Sequence, residues 1–338
     1  MAIAFVTGAT GLLGRGLVER LVERGWSVRA LHRSPQDAAK LRTLGAEPFQ
    51  GDLGDLASLR PGMTGADTVV HAAALFTMWA PASEFNKANV DGARNMLAAA
   101  QAEGVARFVY ISAAGVLMGD GEPMIDITED RPLSYPSWAP YLASKARAQN
   151  LVLKADNPAG MRTAAILPPF VWGVGMPMLN GLVEDIKAGR FAWPAGGRQL
   201  MSTAHIDNVA AAAILAAERA SGGRAYLVTD GASQSMRSVI GQLAATQGVA
   251  IKANSAPITI AWFMATLMEF FWIAFERPGH PPLTRQMLRM MGWDFTVSDR
   301  RAREELGYAP VTTWAEGIAQ MADAAEHKFA NPPAESGS

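Results

Sequence analysis

Three glycines near the amino end constrain this chain most. The apolar run Ile3–Val6 leads directly into Thr7-Gly8-Ala9-Thr10-Gly11-Leu12-Leu13-Gly14. Leu13, Leu17 and Leu21, with Val18 and Val22, then recur at helical spacing until Gly25 ends the pattern. A strand that passes through G-x-x-G-x-x-G into a helix suits a dinucleotide. Gly8 allows the tight turn, Gly11 lets the backbone approach a pyrophosphate, and Gly14 lets the helix pack closely. The helix start then offers free N–H groups and a partial positive charge to the phosphates. Glycines also make ordinary turns, and it is the position between strand and helix that gives these three their meaning.

The texture of the next 150 residues fits such a unit. Apolar stretches at Ser27–Leu31, Glu47–Gln50, Thr68–Ala72, Phe108–Ser112 and Thr163–Leu167 read as strands. Helical segments at about Asn86–Ala102 and Tyr141–Ala155 separate the later ones. Strands alternating with helices predict an α/β fold, a doubly wound parallel sheet covered on both faces. After Pro168-Pro169 the composition shifts to Pro, Gly, Trp and Met, and helices are expected at about Asn208–Ala217, Ser238–Thr246, Ile260–Phe275 and Thr284–Met291. The division predicted is a dinucleotide-binding domain over 1–170 and a smaller, mainly helical substrate lobe over 171–330. A strand at Ala225–Thr229 would return to the main sheet, and the tail 331–338 (NPPAESGS) is expected to be disordered.

Bulk properties exclude several classes. The 338 residues contain no cysteine, which removes disulfides, zinc–thiolate sites and cysteine nucleophiles. No metal site is expected. The net charge of -1, with scattered Lys and Arg, speaks against a nucleic-acid partner. Met1–Val6 has no basic flank and reads as a strand rather than a leader, so a cytoplasmic location is expected. Ile258–Phe275 is almost uncharged and near the minimum length of a spanning helix, but Glu269 interrupts it; it reads as a helical lid or an interfacial contact.

Chemistry enters at Tyr141-Leu142-Ala143-Ser144-Lys145, which puts a phenol and an ammonium one helical turn apart. Hydride transfer to a carbonyl needs a proton for the developing alkoxide. A phenol is poorly matched to neutral pH unless a neighbouring cation lowers its pKa. Lys145 supplies that cation and could also bond the nicotinamide ribose. Ser144 reads as a packing or surface hydroxyl. At the end of the second strand Arg33 stands where a 2′-phosphate would lie, with no acid there to take a free ribose 2′-hydroxyl, so NADP is favoured over NAD. A solvated Arg33 with NAD bound is the other reading. Asp52 could accept from the adenine amino group or simply cap a turn. Ala72-Ala73-Ala74 offers small side chains where a flat cofactor must lie close to the backbone.

The chain resembles the extended short-chain dehydrogenase/reductase superfamily, in the branch of 3β-hydroxysteroid dehydrogenases, dihydroflavonol reductases and NAD-dependent epimerase/dehydratases. The resemblance rests on TGATGLLG, GDL (Gly51–Leu53), VVHAAA (Val69–Ala74), Asn89-Val90-Asp91-Gly92, FVYIS (Phe108–Ser112), YxxxK, PPFVWGVG (Pro168–Gly175) and HIDNVA (His205–Ala210). ELGYAPVTTWAEGI (Glu305–Ile318) is similar to the closing segment of such chains. The resemblance implies a Rossmann-type domain with a C-terminal substrate lobe, cofactor contacts from Gly8, Thr10, Gly11, Leu12, Leu13, Gly14, Arg33, Asp52, Leu53, Ala72, Ala73, Ala74, Tyr141, Lys145, Pro168 and Val171, and catalysis by Tyr141 and Lys145. One departure matters. Family members carry a catalytic Ser or Thr where this chain has Ala113. Ser112 precedes it and, by strand alternation, could point away from the substrate. Catalysis by Ser112, or by another donor or a water in its place, both stay open.

Phe76, Met78, Trp79, Met118, Trp172, Met176 and Met178 fall after strands on the ligand-bearing edge, and Trp262, Phe263, Met264, Phe270, Phe271 and Trp272 populate the lid candidate. Such residues suit an adaptable apolar pocket. The expected activity is therefore an NAD(P)-dependent oxidoreductase that interconverts hydroxyl and carbonyl on a bulky hydrophobic alcohol or ketone. An epimerase or dehydratase with tightly bound NAD, and a non-catalytic dinucleotide sensor, are the alternatives. A homodimer and peripheral membrane contact are partners the sequence allows. His205 reads as a structural hydrogen-bonding group at a helix start rather than a pocket residue.

Overall fold

The computed structural model describes residues 2–119, 122–252 and 255–330, with the side chains of 328–330 left aside. The expected disordered tail lies outside the described residues.

Seven strands form one parallel sheet: β1 (Ile3–Thr7), β2 (Ser27–His32), β3 (Glu47–Gln50), β4 (Thr68–His71), β5 (Arg107–Ile111), β6 (Arg162–Leu167) and β7 (Arg224–Leu227). Their spatial order is β3-β2-β1-β4-β5-β6-β7. β1 pairs in register with β2 on one side (Phe5 opposite Arg29) and with β4 on the other (Phe5 opposite Val69). The strand order therefore reverses at β1/β4, and the crevice beyond the carboxyl ends of these strands is where open α/β sheets bind ligands. Both faces are covered, which is why β4 reads as buried at every residue rather than alternating.

The helices that matter for the site follow from local chemistry. α1 (Leu12–Glu23) starts at Gly11 with no side-chain cap. It stops where Gly25, at φ +78°, takes the left-handed position and Trp26 N–H returns to Leu21 O. α2 (Asp37–Thr43) and α3 (Leu56–Met63) connect the outer strands. The segment predicted as one helix from Asn86 begins earlier, with a helical turn at Ala82–Phe85. It passes through a π-helical turn, Asn86–Asp91, before continuing as α4 (Gly92–Ala102). α5 (Pro140–Lys154) opens on a proline, whose fixed φ suits a first helical turn.

Past β6 lie α6 (Pro177–Lys187), α7 (Ile206–Arg219), α8 (Met236–Ala245), α9 (Ile258–Ala274), α10 (Arg285–Met291) and α11 (Trp314–Ala330). β7 comes from this part of the chain and extends the main sheet beside β6 (Tyr226 opposite Ile166). α7 also belongs to the sheet's layers, although its position in the chain suggested the lobe. Val209, Ala213 and Ile214 share one apolar cluster with Val6, Leu17, Val70 and Ile166. Its alanine-rich face lets it lie close to α1. The lobe has its own small sheet, in which Phe295–Val297 pairs with Met124–Ile127, a strand with no counterpart among the expected elements.

Candidate active site

The crevice at the strand carboxyl ends is a cavity of about 460 Å³. Its floor is the glycine turn: Gly8, Gly11, Leu12, Leu13 and Gly14 line it. A Cβ on Gly8 would lie 2.7 Å from Ala73 N, and one on Gly14 only 2.0 Å from Gly8 O. The turn is thus packed directly against the segment after β4 and against its own helix. Gly11 is different, since a Cβ there would meet only Gly8 O, at 3.2 Å. Thr7 ties the turn together: Ala72 N donates to its carbonyl, and Ala73 N donates to its Oγ1 (3.2 Å). An uncapped helix start facing a glycine cradle fits a pyrophosphate. Gly8, Gly11, Gly14, Ala72 and Ala74 would hold the backbone of a dinucleotide there.

The opposite wall carries the reactive groups. Tyr141, Lys145, Ser112 and Ala113 all line the cavity. Tyr141 is wedged between the edges of Phe76 (5.2 Å) and Phe85 (5.9 Å), which fixes its ring plane. Lys145 Nζ donates to Ile111 O at 2.7 Å and lies 4.2 Å from the centre of the Tyr110 ring. Burial pulls Lys145 down to about 7 and pushes the Tyr141 phenol well above its ordinary value. The expectation that the ammonium lowers the phenol is therefore not met here: burial disfavours the charged form of each group and causes both shifts. Behind Lys145, buried His71 is held neutral, its pKa pulled to about 3 by burial and then by the charge of Lys145. Its Nδ1 sits 2.7 Å from Thr7 Oγ1.

β5 ends at Ile111, and the chain bends into the 3-10 turn Ala114–Leu117 with Ala114 N donating to Pro168 O. The backbone stays extended through Ser112, whose N–H donates to Ile166 O (2.8 Å), and Ala113, and both residues line the cavity at the strand's carboxyl end. Ser112 Oγ is buried and has no hydrogen-bond partner among the described residues. An orphaned buried hydroxyl is uncommon, and this one belongs to a residue that lines the same cavity as Tyr141.

Pro168 and Val171 line the same space, as do Phe76, Met78, Met118, Met176 and Met178. Thr10, Arg33, Asp52, Leu53 and Ala73 do not. Thr10 and Arg33 are exposed. Asp52 spends Oδ1 on Gly54 N (2.7 Å) in a turn, and Leu53 packs against the core near Gly92. Trp79 also stands outside. Trp172 is fully buried, its Nε1 donating to Asp230 (2.6 Å) and its ring tilted against Trp314 (42° between planes). His205 accepts from Asp207 N as the α7 cap.

The lid is corrected outright. None of Trp262, Phe263, Met264, Phe270, Phe271 or Trp272 lines the cavity. α10 lies between α9 and the site, and its Met287, Met290 and Met291 form that wall instead. Their i, i+3, i+4 spacing on one helix was the available signal. Met201, Ser202 and Phe295 are further lining residues that the sequence did not single out. Among the described residues, Lys145 is the one charged side chain in the lining. Another cavity, of about 540 Å³, lies at the opposite end of the sheet around Gln101, Ala106 and Met161 and brings no ionisable group together.

Asn89, noted above as part of a motif without a role, is a positioning residue. It sits in the π-helical turn, 1% exposed. Its Oδ1 accepts from Leu75 N (2.7 Å), and its Nδ2 donates to Ser144 Oγ (2.9 Å), which in turn donates to Tyr141 O. Ser144 is therefore a buried brace that ties the loop after β4 to the helix bearing Tyr141. π-turns recur at functional sites.

Comparison with known proteins agrees with this geometry. The model of the 3-beta hydroxysteroid dehydrogenase/isomerase family matches residues 5–232. The chain is 42% identical, over 93% of its length and 94% of the relative's, to a 4-hydroxy-2-methyl-3-oxo-4-farnesyl-3,4-dihydroquinoline-1-oxide ketoreductase of Stigmatella aurantiaca. It is 32% identical to a 2-alkyl-3-oxoalkanoate reductase of Stenotrophomonas maltophilia (strain K279a), over 94% and 97% of the two chains. The fold is shared with MoeE5, solved in complex with UDP-glucose and NAD, at a TM-score of 0.74 and 24% identity over 97% of this chain and 100% of that one.

Proposed function

The chain belongs to the 3-beta hydroxysteroid dehydrogenase/isomerase family of oxidoreductases, and from that premise we propose that it reduces the ketone of a bulky apolar substrate. The observation that carries this reading is the cavity itself: a glycine cradle on one wall, Tyr141, Lys145 and Ser112 on the other, and an otherwise apolar lining rich in methionine. The nicotinamide of a dinucleotide supplies the hydride. The chain's own residues supply the rest. Tyr141 is held in its protonated form by burial and so is poised as an acid, the form that carbonyl reduction consumes. Ser112 Oγ is an unsatisfied donor able to polarise the carbonyl oxygen. Lys145, near neutrality, can return a proton to Tyr141 after transfer.

Two further features support the substrate class and the cofactor. A nucleotide sugar needs cationic or hydrogen-bonding groups for its diphosphate, and Lys145 alone cannot serve both that group and Tyr141; this weighs against an epimerase. The two reductases named above act on a farnesylated quinoline oxide and on a 2-alkyl-3-oxoalkanoate, both ketones with large apolar parts. For the cofactor we favour NADP, because Arg33 is exposed at the end of β2 with no acid beside it.

The test is a fluorescence titration with NADPH and NADH on wild type and Arg33→Ala, followed by turnover on alkyl and aryl ketones. NADPH should bind more tightly, and Arg33→Ala should erase the difference. Tyr141→Phe should bind cofactor yet lose turnover, and Ser112→Ala should lose about 10²–10³ in rate. Turnover by Tyr141→Phe at the wild-type rate would sink the acid assignment.

A further inference from the structure

Lys145 is an amine in an uncommon setting. It is 2% exposed, it lines an otherwise apolar cavity, and among the described residues it pairs with no carboxylate. The groups that face it are uncharged at neutral pH. From β5 come the Ile111 carbonyl, 2.7 Å from Nζ, and the Tyr110 ring, whose phenol burial keeps protonated. From β4 comes His71, held neutral by burial and by Lys145 itself. On α5, Tyr141 stands one turn away and is also kept protonated by burial. Only a carbonyl and a ring face offset the desolvation of an ammonium here, so the neutral amine competes with it near pH 7. That neutral form gives one N–H to Ile111 O and keeps a lone pair.

We propose that Lys145 captures ketones and aldehydes covalently, as an imine, while the dinucleotide is absent. Desolvation in an apolar pocket is what makes a lysine a nucleophile towards carbonyl carbon. The lining gives such a compound's apolar part a place to lie, and Tyr141 and Ser112 share the wall with Lys145, where they can attend to the carbonyl oxygen. The chemistry balances without a redox partner. The Nζ lone pair bonds to the carbonyl carbon, the C=O π pair moves to oxygen, and Tyr141 protonates that oxygen while recovering a proton from Nζ. The carbinolamine then loses its hydroxyl. Tyr141 gives a second proton, the C–O bond breaks, water leaves, and the nitrogen lone pair closes the C=N bond. The last Nζ proton returns to Tyr141 and leaves the imine.

The consequence for turnover is the one clause that rests on the function proposed above. A dinucleotide in the glycine cradle would engage Lys145 through its ribose, and the ketone is then reduced rather than trapped. A carbonyl compound that arrives before the cofactor therefore inhibits, and the expected binding order is dinucleotide first.

The experiment traps the imine. The whole, cofactor-free protein is incubated with decanal or methyl nonyl ketone and sodium cyanoborohydride, which reduces the C=N bond to a stable secondary amine. Peptide mass mapping then reads the labelled sites. At pH 7 about half of Lys145 is neutral, against about 0.04% of an exposed lysine. Lower basicity takes back part of that thousandfold excess, so Lys145 should label at least about tenfold faster than exposed Lys40 and Lys154. The ratio should shrink about fiftyfold between pH 7 and 9 as the exposed amines lose their protons. Lys145→Met should lose the label at its peptide, Lys154→Met should keep it, and saturating NADP should shield Lys145. Labelling at Lys145 no faster than at Lys154 in wild type would overturn the proposal, and ketone turnover with NADPH would still uphold the reductase reading. Fast labelling that NADP leaves unchanged would uphold the capture and count against the cradle as the cofactor site, so the two readings fail separately.

Discussion

Replacing Lys145 with methionine should stabilise the folded chain near neutral pH while abolishing turnover. Lys145 is 2% exposed and has no carboxylate partner; its bonding group is the carbonyl of Ile111. Burial lowers its pKa from 10.5 to about 7. At about 1.4 kcal/mol per pH unit, holding this lysine inside the folded chain at or below neutral pH costs about 5 kcal/mol as an upper bound. The Ile111 carbonyl bond and the Tyr110 ring offset part of that, and methionine forfeits both, so a net gain of about 1–3 kcal/mol is expected. For a chain of this size that corresponds to about 1–4 °C in Tm. The sign with pH is decisive. Between about 7 and 10.5 the unfolded lysine holds its proton and the folded one does not, so wild-type stability rises with pH in that window. The advantage of Lys145→Met should therefore be largest at about pH 7 and vanish by about pH 9–10. Thermal melts of both proteins across that range measure it. A variant that melts below wild type at neutral pH, or whose margin does not change with pH, would refute the claim that burial dominates at this lysine.

Three further outcomes are expected. Gly14→Ala should destabilise by about 3 kcal/mol or prevent folding, because its Cβ would sit 2.0 Å from Gly8 O; Gly241→Ala in α8, with nothing within 4 Å, should instead gain up to about 1 kcal/mol. Urea unfolding of the pair against wild type checks both. His71 is depressed to about 3 when folded against 6.5 when unfolded, so its contribution is complete above about pH 6.5 and declines as pH falls. Wild type should lose up to about 2 kcal/mol between pH 6.5 and 5, and His71→Gln should show a flatter profile by the same assay. Asn89→Leu should lower kcat at least about tenfold with a smaller change in KM, because it releases the Ser144 brace under Tyr141. A lower Tm with unchanged kcat would reduce Asn89 to a packing role.

The sheet was legible because its signals are local. β1, the glycine turn and α1 follow one another within residues 3–23, and each step has a backbone reason: an apolar run, a left-handed glycine, a helical stripe. Tyr141 and Lys145 were legible for the same reason, since one helical turn fixes their relation. What escaped depends on contacts between distant segments. Asn89 and Ser144 are 55 residues apart, and only the packing of the π-turn on α5 brings them to a hydrogen bond. The lobe strand Met124–Ile127 has no partner near it in sequence; it exists because Phe295–Val297 arrives beside it.

The misassigned lid shows where hydrophobicity stops being informative. α9 and α10 are both apolar and both near the site, and a sequence cannot say which of two adjacent apolar helices faces inward. α9 has the stronger hydrophobic signal and was therefore the natural choice for the cavity wall. In the fold the order is reversed, and the cause is electrostatic. Glu269 must be buried with a partner, and the partner is Arg285 at the start of α10, at 2.6 Å. That pair fixes which line of α9 turns inward and leaves the aromatic arc outside. It also seats α10 so that its three methionines face the cavity. A single ion pair thus separates two placements that composition had merged, one helix that shapes the pocket and one whose aromatic arc lies on the outside.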